Sequence, residues 1–418
     1  MIKYFFSGLL LSLFYSPSIS AQASLKTLPP ESVGMSSERL LRLNEVMHQY
    51  VDQGQLAGVQ TAIIRKGKLV HLDTYGHADL KEKKPLQDNS IWRIYSMTKP
   101  IVSVALMMLY EEGKFQLNDP IHLYIPSLKE LQVHQGNGIT APAKNHIRIV
   151  DVMRHTTGFG YGWGANSYVD SLYRAVNIWA LPDIKAFVEH LGTLPLYREP
   201  GSGFRYSVST DVAGHLVEVL SGQALDQFLT ERILQPLGMT DTHFEVPDSK
   251  DARFVTSYTT NRKGELQATD HPSRSRYTQK VNLFSGGGGL VSTTHDYLRF
   301  CQMLLHGGAL DGVRLLSPKT IELMTKDHLG DIPYGGSGIR LPSKGVGFGL
   351  GFSVVKDLAA TASTGSEGAF GWGGAAGTYF TVDPKEDLIY LMMIQLRPYS
   401  HLKAREKFRT MVYQAIVE

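Results

Sequence analysis

The stretch Ile94-Tyr95-Ser96-Met97-Thr98-Lys99-Pro100 runs directly into the apolar segment from Ile101 to Tyr110. Together they predict a helix over 98–112 that Gly113 ends. The segment is apolar on almost every side, so it is expected to be buried. Ser96 stands at the opening of this helix. Side chains three apart on a helix are neighbours, about 5–6 Å apart at Cβ, so Lys99 can reach Ser96. The dipole of a first helical turn opposes positive charge, and burial disfavours an ammonium. Both push Lys99 toward an amine that can take a hydroxyl proton. The free N–H groups of the same turn can polarise a carbonyl oxygen held at Ser96.

A helix apolar on all sides needs cover on all sides. Upstream, Ser36 and Ser37 are candidate caps for a helix carrying Leu40, Leu43, Met47, Tyr50 and Val51. Gly58 to Arg65 and Lys68 to Tyr75 are β-rich runs around Lys66-Gly67, a hairpin pattern. Downstream, helices are expected over 183–191, 211–220 and 224–234, and one begins at Pro318. Thr378 to Val382 and Leu388 to Leu396 read as strands with Asp383-Pro384 between them. An amphipathic helix with Phe408, Met411, Val412 and Ala415 closes the chain. Strands at both ends and helices between them predict an α/β fold of the α+β type. Its core is one antiparallel sheet built from both chain ends and flanked by helices, with a mainly helical region inserted. The expected α/β part covers about 24–120 and 285–418, and the helical part about 121–284.

Composition agrees with one folded unit. The chain has 418 residues, 43% hydrophobic and 19% charged, which suffices for a large core. The formal charge of +3 is not gathered into a basic run, so nucleic acid is not an expected partner. Residues 1–23 have the pattern of a secretory signal peptide. Lys3 precedes an apolar run from Tyr4 to Tyr15, Pro17 breaks it, and small residues follow around Ser20 to Ala23. The alternative is a buried terminal strand or helix. The run is too short for a stable membrane span. Export to the periplasm or beyond is the expectation. Cys301 is the only cysteine, which rules out an intramolecular disulfide, and its apolar surroundings suggest a buried small hydrophobe.

S-x-x-K alone is weak, because it occurs three times: Ser96…Lys99, Ser353…Lys356 and Ser400…Lys403. Ser353…Lys356 lies in a strand-like run, where residues three apart point to opposite faces. Ser400…Lys403 is expected to start the exposed terminal helix. No G-x-S-x-G elbow, H-E-x-x-H or close Cys/His cluster occurs. Gly371-Trp372-Gly373-Gly374-Ala375-Ala376 fits a loose dinucleotide pattern, but a strand-like run follows it rather than a helix. Two further segments could complete a site around Ser96. Tyr206 sits before a helix in Gly203-Phe204-Arg205-Tyr206-Ser207-Val208, where a phenol can donate and accept a proton. Taken alone it could equally be one more of 20 tyrosines. Gly371 to Gly377 could let an edge strand approach a ligand, or could be a tight bend.

These three elements, in this order, resemble the serine β-lactamase and penicillin-binding protein superfamily. Within it the chain looks most like the family VIII carboxylesterases. The similarity runs from about Leu28 to the C-terminus. It rests on the 94–100 stretch, Arg154-His155-Thr156-Thr157-Gly158, Tyr206-Ser207-Val208, Pro236-Leu237-Gly238-Met239, Ser285-Gly286-Gly287-Gly288-Gly289-Leu290 and Trp372-Gly373-Gly374. The resemblance implies that Ser96 is acylated, while Lys99 and Tyr206 share the base and acid work. It implies an oxyanion hole from the N–H groups of Ser96 and Ala375, and a pocket at Trp372, Gly373, Gly374 and Val208. His155 and Thr156 fit a structural loop. No metal or organic cofactor is implied.

Two departures bear on substrate. The tyrosine motif of β-lactamases normally ends in Asn, where this chain has Val208. Their Lys-Thr-Gly motif is replaced by Trp372-Gly373-Gly374. Apolar side chains cannot hold a β-lactam amide and carboxylate. The expected substrate is a small-molecule ester with a short acyl group. A β-lactamase or D-Ala-D-Ala carboxypeptidase is the second reading. A binding homologue without catalysis is the third.

Overall fold

The computed structural model describes residues 26–164, 167–333 and 344–418. The expected signal peptide, residues 1–23, lies outside them.

Helix α1 is Ser37–Asp52, and the Ser36 side chain caps it by accepting the Arg39 amide at 3.3 Å. Strands β1 (Gly58–Arg65) and β2 (Lys68–Asp79) follow. Lys66 and Gly67 between them both have positive φ, 49° and 71°, as a tight hairpin turn requires. A short β3, Lys84–Pro85, pairs with β2. The remaining strands of the sheet come from the other end of the chain. They are β4 (Val346–Phe348), β5 (Ser353–Val355), β6 (Phe370–Gly373), β7 (Tyr379–Asp383) and β8 (Leu388–Met393). The eight-stranded order is β4-β5-β6-β7-β8-β1-β2-β3, and neighbours are antiparallel. The two chain ends meet where β1 pairs β8, from Gln60 opposite Met393 to Arg65 opposite Leu388.

Every residue of β1 and β8 is buried, which follows from cover on both faces. Alternation sorts their side chains into two cores. Ile63, Tyr390 and Met392 pack with Leu43 and Met47 of α1 and with Phe408 of the C-terminal helix Ala404–Tyr413. Ala62, Ile64, Ile389 and Leu391 face the larger core. Helix α2, Thr98–Glu111, lies in that core and is buried from Thr98 to Leu109. It packs against α3, Ser209–Ser221, from the middle of the chain. Helix α4, Thr294–Leu305, covers β7 and β8 and buries Cys301 completely. Burial pushes that thiol well above its usual range, so it is a packing residue.

Four details differ from the sequence reading. The middle region contains two hairpins, Gln132–Gly136 with Ile139–Pro142 and Ser257–Thr260 with Leu266–Asp270. The first turns at Asn137-Gly138, both with positive φ, a hairpin signal that was present in the sequence. The helix expected over 224–234 is a short α segment, Leu225–Leu229, that widens into a π turn, Thr230–Leu234. Ser400 and Lys403 do not open the last helix: a 3-10 turn spans Ser400–Leu402 and the helix begins at Ala404. Finally, β6 is not an edge strand, because it pairs with β5 and with β7.

Candidate active site

Ser96 lies in a single 3-10 turn, Tyr95–Met97, that feeds directly into α2. Tyr95 before it has φ of 43°, a left-handed conformation that costs energy for a side chain of this size. Surrounding groups hold the turn in place. The Tyr297 hydroxyl donates to the Met97 carbonyl at 2.8 Å, and the Leu290 amide donates to Thr98 Oγ1 at 3.1 Å. Ser96 is partly exposed while Met97, Thr98 and Lys99 are buried.

Lys99 Nζ has three oxygen partners. It donates to Tyr161 Oη at 2.9 Å, to the Gly287 carbonyl at 2.5 Å and to Ser96 Oγ at 3.4 Å. It also stands 4.8 Å from the centre of the Tyr206 ring. The helical spacing therefore brings Ser96 and Lys99 together. The other two copies of the pattern build no such pair. Ser353 Oγ donates to the Gly371 carbonyl, and Lys356 pairs with Asp327 at 2.9 Å.

Tyr161 was not singled out by its sequence. It sits in Gly158-Phe159-Gly160-Tyr161-Gly162-Trp163, and its position between glycines was the available cue. Burial, with Tyr206 and Asp211 nearby, pushes its phenol well above the usual range. It is therefore a protonated phenol, able to give a proton while its oxygen accepts from Lys99. Trp163 stacks on it with ring centres 4.1 Å apart, and is itself 57% exposed. That is an apolar lip on the site.

Tyr206 is buried and its hydroxyl accepts from Trp372 Nε1 at 3.3 Å. Tyr206 thus enters the site through its ring beside Lys99 and through the indole. His155 packs against the Tyr206 ring at 4.7 Å, and its Nδ1 takes the Ser207 amide at 3.4 Å. Burial first, then the Lys99 charge, holds this imidazole well below its usual range, so it is neutral. Val208, expected to line the pocket, is wholly buried. It caps α3 and donates its amide to Gly160, so it supports both tyrosine loops from inside.

Asp211, on the first turn of α3, ties the site together. Its carboxylate accepts from Ser285 Oγ at 2.5 Å and from the Gly287 amide at 3.0 Å. The other carboxylate oxygen is buried and has no hydrogen-bond partner among the described residues. Burial is the main influence on Asp211 and raises it above the usual carboxylate range, against the lowering influence of Lys99 and of the two hydrogen bonds. A Cβ on Gly287 would lie 2.4 Å from Asp211 Oδ2, so only glycine fits. Asp211 thus fixes the peptide whose carbonyl holds Lys99.

The hairpin between β6 and β7 reaches the nucleophile from the other side. The Gly374 amide donates to the Thr378 carbonyl at 2.8 Å, closing the turn. A Cβ on Gly374 would lie 2.5 Å from the Ile94 carbonyl, so the backbones touch just before Ser96. Gly373 is packed as tightly by Arg405. The amides of Ser96 and Ala375 have no acceptor among the described residues. Two free N–H groups on facing turns are what an oxyanion hole requires. Among the described residues no group of three or more His, Cys, Asp or Glu converges as a metal site. None of their helices is long and apolar enough to cross a membrane.

The family model for β-lactamase matches residues 43–411. The chain belongs to the β-lactamase family. Protein Rv1367c of Mycobacterium tuberculosis is 36% identical over 360 residues, covering 84% of this chain and 89% of that protein. Esterase EstB of Burkholderia gladioli is 27% identical over 397 residues, covering 88% and 93%. Other relatives, from Salmonella, are named putative D-alanyl-D-alanine carboxypeptidases, at 26% identity. Among solved structures, EstCE1, a hydrolase with promiscuous acyltransferase activity, superposes with a TM-score of 0.76. It is 25% identical and covers 90% of this chain and 98% of its own. The chain is a β-lactamase-fold member of a group of hydrolases, and its antiparallel sheet with flanking helices is the fold of that family.

Proposed function

We propose that the protein is a serine esterase that works through an acyl-enzyme on Ser96. One observation carries this reading. Lys99 Nζ lies within reach of Ser96 Oγ and Tyr161 Oη, in a site whose third motif offers the Trp372 indole where an ammonium would bind a carboxylate. In its neutral form Lys99 takes the Ser96 proton as Oγ attacks the ester carbonyl. The developing oxyanion rests on the amides of Ser96 and Ala375. Lys99, now carrying the Ser96 proton, passes one proton to the Tyr161 hydroxyl as that hydroxyl gives its own to the leaving alcohol, so Lys99 ends neutral and Tyr161 ends protonated. The Tyr206 ring stands beside that of Tyr161, 4.8 Å from Lys99 Nζ, and positions water for deacylation. Stacked Tyr161 and Trp163, with Tyr206 and Trp372, surround the reacting carbon with apolar rings, which suits a neutral ester group there. Export after removal of residues 1–23 is part of the same proposal.

The test is turnover of an aryl butyrate, followed by mass spectrometry of the trapped intermediate. Ser96→Ala should lower kcat by about 10⁴-fold or more. The adduct should map to Ser96. An adduct elsewhere, or full activity in Ser96→Ala, would overturn the mechanism. Efficient cephalosporin or D-Ala-D-Ala cleavage with poor ester turnover would overturn the substrate class.

A further inference from the structure

A cleft of about 550 Å³ opens beside the nucleophile's turn, lined in part by Tyr95, Thr259, Asp270, Arg276, Tyr277 and Arg397. Three of these residues adjoin three parts of the site. Tyr95 immediately precedes Ser96. The Tyr277 hydroxyl donates to the Gly288 carbonyl at 3.2 Å, one residue beyond the carbonyl that holds Lys99. Arg397 follows Leu396, whose amide donates to Ala376, next to the free Ala375 amide. The cleft thus adjoins the nucleophile's turn directly, and reaches the 285–289 loop and the β6–β7 hairpin through one hydrogen bond each.

Its charge is unbalanced. Among the described residues Asp270 is the one carboxylate lining it, and that group is paired with Arg93, whose Nε lies 2.7 Å away. Arg93 is fully buried and also donates to the Val255 carbonyl and to Ser275. The pair cancels. Arg276 donates to the Tyr277 hydroxyl at 3.0 Å, and Arg397 lies over the Tyr95 ring at 5.9 Å. Neither guanidinium forms a direct ion pair with a carboxylate among the described residues, although Asp270 lies near enough to attract Arg276. Two forked cations therefore line one cleft, together with Ser257, Thr259 and Thr269. Guanidinium groups in this arrangement match a carboxylate, which takes paired N–H donors.

We propose that this cleft binds a carboxylate carried by the ester substrate, remote from the bond that is cut. The proposal rests on the esterase reading and narrows it: the reacting carbon meets apolar rings, and an anionic arm extends past Tyr95 to Arg276 and Arg397. Two probes place the charge on either side of the ester, an aryl hemiglutarate in the acyl part and a butyrate ester of 4-hydroxybenzoate in the alcohol part. Each is compared with a neutral aryl butyrate. At low salt, kcat/KM for one of the two charged esters should exceed the neutral one by about tenfold, mainly through KM. Added salt should shrink that ratio, because both arginines are solvent-accessible. In Arg276→Gln/Arg397→Gln the ratio should fall to about one. A parallel measurement does not need turnover. Calorimetry on Ser96→Ala should give a charged-ester Kd about tenfold tighter than the neutral one, and the added Arg pair substitution should abolish the difference. Equal treatment of charged and neutral esters in both assays, or a preference that survives the double substitution, overturns the proposal. Failure of every ester to acylate Ser96 would instead reject the esterase reading, and the binding assay would still decide on the cleft.

Discussion

Lys99 gathers Ser96, Tyr161 and the Gly287 carbonyl on one nitrogen, so each partner is testable separately. Tyr161→Phe keeps the ring stacked on Trp163 and removes only the hydroxyl. It should lower kcat by about 10²-fold with little change in KM, read by steady-state kinetics on an aryl butyrate. An unchanged kcat would remove Tyr161 from the proton path. Asp211 acts through Gly287 and does not touch the reacting atoms. Asp211→Ala releases the Gly287 peptide and should lower kcat by about 10²-fold through misplacement of Lys99. Asp211→Asn retains an acceptor for Ser285 and Gly287. The raised carboxyl pKa means that folding favours the protonated acid, so stability is lost as pH rises through the folded value. Asn escapes that loss. Thermal melts at pH 8 should therefore rank Asn at or above wild type and Ala below it.

Among the elements, the β6–β7 hairpin is held against the Tyr95–Met97 turn by the absence of a side chain. Gly374→Ala would put a methyl 2.2 Å from Thr378 Oγ1 and 2.5 Å from the Ile94 carbonyl. Either the hairpin or the nucleophile's turn must move, and Ala375 moves with the hairpin. The expected result is a loss of about 10²-fold in kcat/KM, with the fold retained by circular dichroism. Wild-type activity in this variant would place the oxyanion donors elsewhere. The segment's glycines were visible in the sequence. That it begins inside an interior strand was not, because the strand-like run at Ser353 carries no local sign that it pairs with β6.

For the whole molecule, acid stability follows from buried imidazoles. Burial lowers His71 and His243 to about 4, and holds His155 well below its usual range. The unfolded chain binds these protons near 6.5, so stability is present above that value and is lost as pH falls toward 4. Each such histidine adds a slope approaching about 1.4 kcal/mol per pH unit within that window. Urea midpoints at pH 7 and pH 5 should show the loss, and His71→Gln should flatten it. An equal slope in that variant would assign the acid sensitivity to other groups. His71 makes the sharper probe, since its Nε2 has a single partner, Thr61 Oγ1, at 2.8 Å. The sequence by itself determined the periodic elements, the two-ended sheet and the Ser96–Lys99 pair. Those depend on near neighbours: a three-residue spacing on a helix, or an alternating run of apolar residues. Only the tertiary structure decided that Tyr161 meets Lys99 across 62 residues, that Asp211 anchors Gly287, and that Val208 faces inward. It also decided that Arg276 and Arg397 share a cleft. Such contacts depend on how β1 and β8 close the sheet and where the loops then fall, and no local pattern in the chain encodes that distance.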